Sequence, residues 1–181
     1  MKSVIRKLKA ILIAAALCST IFLTSSPTVH AQDHSFDLEQ EISEKRAAGI
    51  TVYELYTDDG EIMGYFEPFT DANIMAMTTY AIAYTWNHDI SADSIAIAKG
   101  SHSFLAGDSI IVNISQDPSG AGYLSRLGLY DRDNNTYSFS TDSTTTNGWN
   151  GALTVGYNGH FSFAIENLSN VTIHYEGYYA F

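Results

Sequence analysis

Leu153-Thr154-Val155-Gly156-Tyr157-Asn158-Gly159-His160-Phe161-Ser162-Phe163-Ala164-Ile165 holds two β-rich runs on either side of an Asn-Gly pair. Asn-Gly between apolar runs is a strong hairpin signal. The register argues against a simple hairpin here. A two-residue Asn158-Gly159 loop sets Tyr157 opposite His160 and Val155 opposite Ser162, so the apolar faces of the two strands would point to opposite sides. Either the loop has three residues, or the chain crosses from one sheet to another. A crossing fits a two-sheet sandwich better.

The rest of the chain from Asn73 onward reads the same way. Tyr80–Trp86, Ser94–Ile97, Ser109–Ile114, Arg126–Tyr130, Thr136–Phe139 and Val171–Tyr175 are short β-rich runs separated by turn residues such as Lys99-Gly100-Ser101 and Asp131-Arg132-Asp133-Asn134-Asn135. Such spacing predicts an all-β, antiparallel, jelly-roll-like sandwich of about eight strands over residues 73–181. A hairpin is expected ahead of it over residues 50–68. There Ile50–Tyr56 and Glu61–Phe66 flank Asp59-Gly60, a pair suited to a turn with positive φ at both central residues. Within residues 32–49, Phe36–Ala48 predicts one short helix. Asp33 or Ser35 is its expected cap, acids fill its first turn, Lys45 and Arg46 its last, and Gly49 ends it. Its apolar stripe, Leu38 and Ile42, is too narrow to hold it without docking.

Gly107-Asp108-Ser109-Ile110-Ile111-Val112, Leu129-Tyr130-Asp131-x-Asp133-Asn134 and Gly159-His160-Phe161-x-Phe163-x-Ile165-Glu166-Asn167 together resemble the β-sandwich of bacterial pre-peptidase C-terminal domains. More closely, they resemble stand-alone, signal-bearing Firmicute proteins of unknown function built on that sandwich. The likeness spans roughly residues 80–181 and consists of strand and turn pattern. It implies a sandwich and carries over no catalytic residue. The Tyr175-Glu176-Gly177-Tyr178-Tyr179 ending and the missing peptidase depart from the pattern.

The first 31 residues predict a compartment. Lys2, Arg6, Lys7 and Lys9 precede an apolar run from Ala10 to Leu23, and Val29-His30-Ala31 puts small residues before a cut between Ala31 and Gln32. These are the parts of a secretory signal. The run of about 14 residues is shorter than the ~20 of a spanning helix, so no stable membrane insertion is expected after cleavage. Of 9 basic and 20 acidic residues, four basic ones lie in this segment; the five left give the remainder a formal charge of −15. That balance disfavours nucleic acid and anionic membranes as partners. Cys18, the only cysteine, falls in the signal, so the mature chain is expected to be disulfide-free. A secreted bacterial protein fits these features.

No reaction is specified by the residues. Gly107-Asp108-Ser109 has the form of a serine-esterase block, yet neither Asp-x-x-His nor Glu-x-x-His occurs in the chain to supply the base. Asp131, Asp133 and Asn135 alternate as in a calcium loop, with Asp142 at the twelfth place, but Thr136 stands where that loop needs Gly. The readings are a polar turn or a weak calcium site, and no other cofactor is expected. His174 and Glu176 share a strand face and offer a zinc or acid/base pair. Among the aromatics, Trp149 at a loop-to-strand corner, and Tyr178 and Tyr179 on opposite strand faces, are the candidate sugar-stacking rings. A buried corner tryptophan is the plain alternative. The leading expectation is a secreted, non-catalytic adhesion, matrix or glycan-binding protein, with cell-wall glycan or another secreted protein as partner. A secreted enzyme or enzyme modulator, and a bacteriocin-like antagonist, are the alternatives.

Overall fold

Asp37 caps the one helix among the described residues, α1 (Leu38–Ala47), its Oδ1 accepting the Gln40 N–H at 3.0 Å. In the computed structural model, residues 36–70, 82–141 and 147–181 are described, with backbone alone at residues 82 and 83. The expected signal segment, the Ala31/Gln32 cut and the expected caps Asp33 and Ser35 lie outside them. Asp37 serves because it immediately precedes the helical run and leaves Glu39 and Glu41 in the first turn, where carboxylates suit the helix dipole. At the other end Gly49 takes φ +78°, and the N–H groups of Gly49 and Ile50 reach back to Arg46 and Lys45 carbonyls, which closes the helix. Ile42 is buried against Val52 and Tyr65, with Leu38 and Ile62 at the rim. Lys45 pairs with Glu67 and Arg46 with Glu54, both at 2.8 Å, so the narrow stripe is held by docking.

The surface under α1 is the hairpin of β1 (Tyr53–Thr57) and β2 (Ile62–Pro68). Its loop differs from the expected two-residue turn. Gly60 N–H donates to Thr57 O, Thr57 N–H donates to Glu61 O, and only Gly60 has positive φ, at +86°. A three-residue loop spares Asp59 a left-handed conformation that favours glycine. Next to it the pairing shifts from Tyr56↔Ile62 to Leu55↔Gly64. The extra residue lets Met63 and Phe66, three apart, both enter the core.

Nine more strands follow among the described residues: β3 (Ile82–Ile90), β4 (Ser94–Ile97), β5 (His102–Phe104), β6 (Ser109–Asp117), β7 (Ser125–Asp131), β8 (Thr136–Ser140), β9 (Gly148–Val155), β10 (Gly159–Asn167) and β11 (Ile173–Ala180). All pairings are antiparallel, in the order β3-β11-β6-β9-β2-β1-β8-β7-β10-β4, with β5 also on β10. Side chains from both ends of this path share one core: Trp86 and Tyr175 from one, Leu127, Phe161 and Ile165 from the other. The sheet therefore folds over on itself as an all-β sandwich. Among the described residues, nine strands lie in the span expected to hold about eight, and the hairpin that precedes them in the chain sits within the same sheet, between β9 and β8.

The crossing expected around Asn158-Gly159 is present. β9 pairs with β6 and β2, while β10 pairs with β7, β4 and β5. Residues 156–158 carry the chain from one half to the other, which lets Val155, Phe161 and Phe163 all face inward.

Candidate functional site

The half of the sheet formed by β3, β11, β6 and β9 turns a polar face outward. Alternation dictates it: Ile110, Val112 and Ile114 of β6 are buried, so Asn113, Ser115 and Asp117 point away from the core. Pairing aligns such residues in rows. Thr85, Tyr178, Asn113 and Asn150 form one row across four strands, and Asn87, Glu176 and Ser115 the next. Asp89, His174 and Asp117 form a third. Tyr178 is half-buried, and Thr85, Asn113, Asn150, Asn87, Glu176 and Ser115 are exposed.

The bonds inside this face are few. His174 Nδ1 lies 2.7 Å from Asp89 Oδ1, and Ser115 Oγ donates to the Glu176 carbonyl at 3.0 Å. Among the described residues, no hydrogen bond ties down the side chains of Tyr178, Asn113, Asn150 or Glu176. Their donors and acceptors are presented to solvent around one phenol ring.

Of the three aromatic candidates, only Tyr178 belongs to this face. Trp149 corrects the expectation of an accessible corner: it is 6% exposed and lies over Tyr175, ring centroids 6.3 Å apart and planes 17° from parallel. The corner falls one residue earlier, at Gly148. That residue has φ +114° and already pairs with Ser115, and a Cβ there would meet the Ile114 carbonyl oxygen at 1.9 Å. The strand is thus in register before Trp149, whose indole takes the inward position. Tyr179 is likewise buried, stacked between Tyr84 and Phe163. Tyr178 and Tyr179 do lie on opposite faces.

In the turn after β7, Asp131, Asp133 and Asn135 each have hydrogen-bond partners within the protein. Asp131 is fully buried; its Oδ1 accepts the Asp133 and Asn134 N–H groups, and its Oδ2 accepts Asn134 Nδ2 and the Tyr157 hydroxyl. Burial favours the neutral acid, yet the bonds from Tyr157 and Asn134 and the two backbone N–H groups outweigh it and hold the carboxyl below the usual aspartate range. Asp133 faces His160, whose Nδ1 lies 3.0 Å from Oδ2. Asn135, at φ +55°, accepts the Tyr130 hydroxyl. Each candidate ligand is engaged separately in the turn, and Asp142 lies outside the described residues. No group of three or more His, Cys, Asp or Glu suited to a metal occurs among the described residues.

His174 and Glu176 share the outward face of β11 as expected, but the partner of His174 is Asp89, a strand away. Sequence spacing could not find that pair, because it depends on which strand lies beside β11. Ser109 opens β6 with its Oγ 3.1 Å from Thr154 Oγ1, and Asp108 Oδ2 accepts the Leu105 N–H. Both border an open cleft of about 480 Å³ with Phe104 and Phe181. Compared with known families, curated proteins and solved structures, the chain matches none.

Proposed function

We propose that this chain is an exported, non-catalytic glycan-binding sandwich acting at the cell surface or in its matrix, and that Tyr178 is the centre of its binding face. The observation carrying the reading is the set of uncommitted side chains around that ring. A sugar ring has an apolar C–H face and a rim of hydroxyls. A tyrosine supports the first, and asparagine and carboxylate groups pair with the second. Asn113 and Asn150 extend from Tyr178 along its row, and Glu176 lies two residues along the same strand. The basic, apolar and small-residue succession of residues 1–31 supports export.

Retention of the protein on peptidoglycan or an insoluble polysaccharide tests the reading. Asn113→Ala and Asn150→Ala should each weaken retention without lowering the melting temperature. No retention on any of these supports would refute it. The pairing of His174 with Asp89 supports a second reading, a secreted hydrolase using that histidine as base. Release of soluble sugar from a retained polysaccharide, abolished by His174→Ala, would favour that reading instead.

A further inference from the structure

The two ends of the sheet are protected unequally. One end carries β4 and β5, four and three residues long, interrupted by Lys99-Gly100-Ser101. Short strands and a lysine are ordinary ways of blunting an edge. The other end is β3, nine residues of Ile82-Ala83-Tyr84-Thr85-Trp86-Asn87-His88-Asp89-Ile90. It contains neither proline nor lysine. Among the described residues it pairs with β11 alone, in register from Ile90 to Tyr84 with a bulge before Ile82, and Asn167 Nδ2 caps the Ile90 carbonyl at 2.9 Å. Between those two ends, Tyr84 to Asp89 present a row of N–H and C=O groups to any strand that can match them.

The strand that matches is its own copy. Two β3 strands paired antiparallel about Trp86 bring Thr85 opposite the second copy's Asn87 and Tyr84 opposite its His88. The Tyr84 hydroxyl already lies 3.1 Å from His88 Nε2 within one chain, so the two groups are chemically matched. Asp89, the only acidic or basic residue of the strand other than histidine, lies three positions from the axis, far from its copy, and is paired with His174 on β11. No like charges face each other across the seam, although the chain as a whole is strongly acidic. We propose that two copies of this chain join through β3 as an isologous antiparallel pair centred on Trp86, making one sheet continuous across the two-fold axis.

Light scattering and sedimentation of the purified protein, from micromolar to low millimolar concentration, test the proposal. The wild type should reach the mass of a dimer. Thr85→Lys combined with Asn87→Lys sets lysine against lysine twice across the axis and should weaken association about tenfold. Thr85→Lys combined with Asn87→Glu sets lysine against glutamate at both places and should restore it. Both sites are exposed, and circular dichroism with a melting curve verifies that each variant is folded. A wild type that stays monomeric throughout overturns the proposal, whether or not another protein's strand binds the edge. So does a dimer equally tight in wild type, Lys/Lys and Lys/Glu forms.

Discussion

The Tyr157 hydroxyl donates to Asp131 Oδ2 at 2.7 Å, tying the crossover between β9 and β10 to the turn that follows β7. The crossover lets both strands face the core, so this bond fastens the step on which the sandwich depends. Tyr157→Phe removes one charge-assisted hydrogen bond and should cost about 1.5–3 kcal/mol. Asp131→Ala removes four bonds and should cost more. Urea denaturation of the two variants measures both. A neutral Tyr157→Phe would mean that the crossover is held by packing alone.

Stability should fall at both ends of the pH scale. The Asp131 carboxyl lies below its ordinary value when folded, so its contribution is present above the unfolded pKa and is lost as pH falls through the folded one. Burial pushes the hydroxyls of Tyr175 and Tyr179 up to about 12. Their contribution is complete below an ordinary tyrosine pKa of about 10 and is lost as pH rises from there through about 12. Denaturation free energies across this range should show both declines, with the alkaline one reduced by Tyr175→Phe.

Trp149 should behave as a core residue. Trp149→Ala opens a cavity beside Tyr175 and should cost about 3–5 kcal/mol, seen as a large drop in melting temperature. A variant that melted like the wild type while losing glycan binding would return the indole to the surface.

The strands were largely legible because alternation and turn residues are local signals. The crossover was legible too, since the register at Tyr157 and His160 allowed few solutions. The hairpin loop was not: Asp59-Gly60 fits either a two-residue or a three-residue turn, and only the bonds of Thr57 to Gly60 and Glu61 distinguish them. The candidate face was half legible. The outward positions Asn113, Ser115 and Asp117 follow from alternation in β6, but their alignment with Tyr178 depends on β6 lying beside β11. Those strands are far apart in sequence. For Trp149 the buried alternative holds over the accessible one, because Gly148 shifts the corner by one residue, and one residue is the whole difference between the faces of a strand.

Export is tested by expression in a secreting Gram-positive host. The protein should appear in the medium with its N-terminus at or near Gln32. Recovery of the chain in the membrane fraction with Met1–Leu23 intact would contradict this.

The central claim concerns Tyr178, and the most direct measurement is calorimetric titration with soluble fragments of whichever polysaccharide or peptidoglycan retains the protein. Tyr178→Ala removes a half-buried ring from the outward face, so folding should survive while the stacking platform is lost. The account predicts saturable binding by the wild type and binding by Tyr178→Ala weaker by about 1–3 kcal/mol, at an unchanged melting temperature. Equal binding by the two proteins would contradict it.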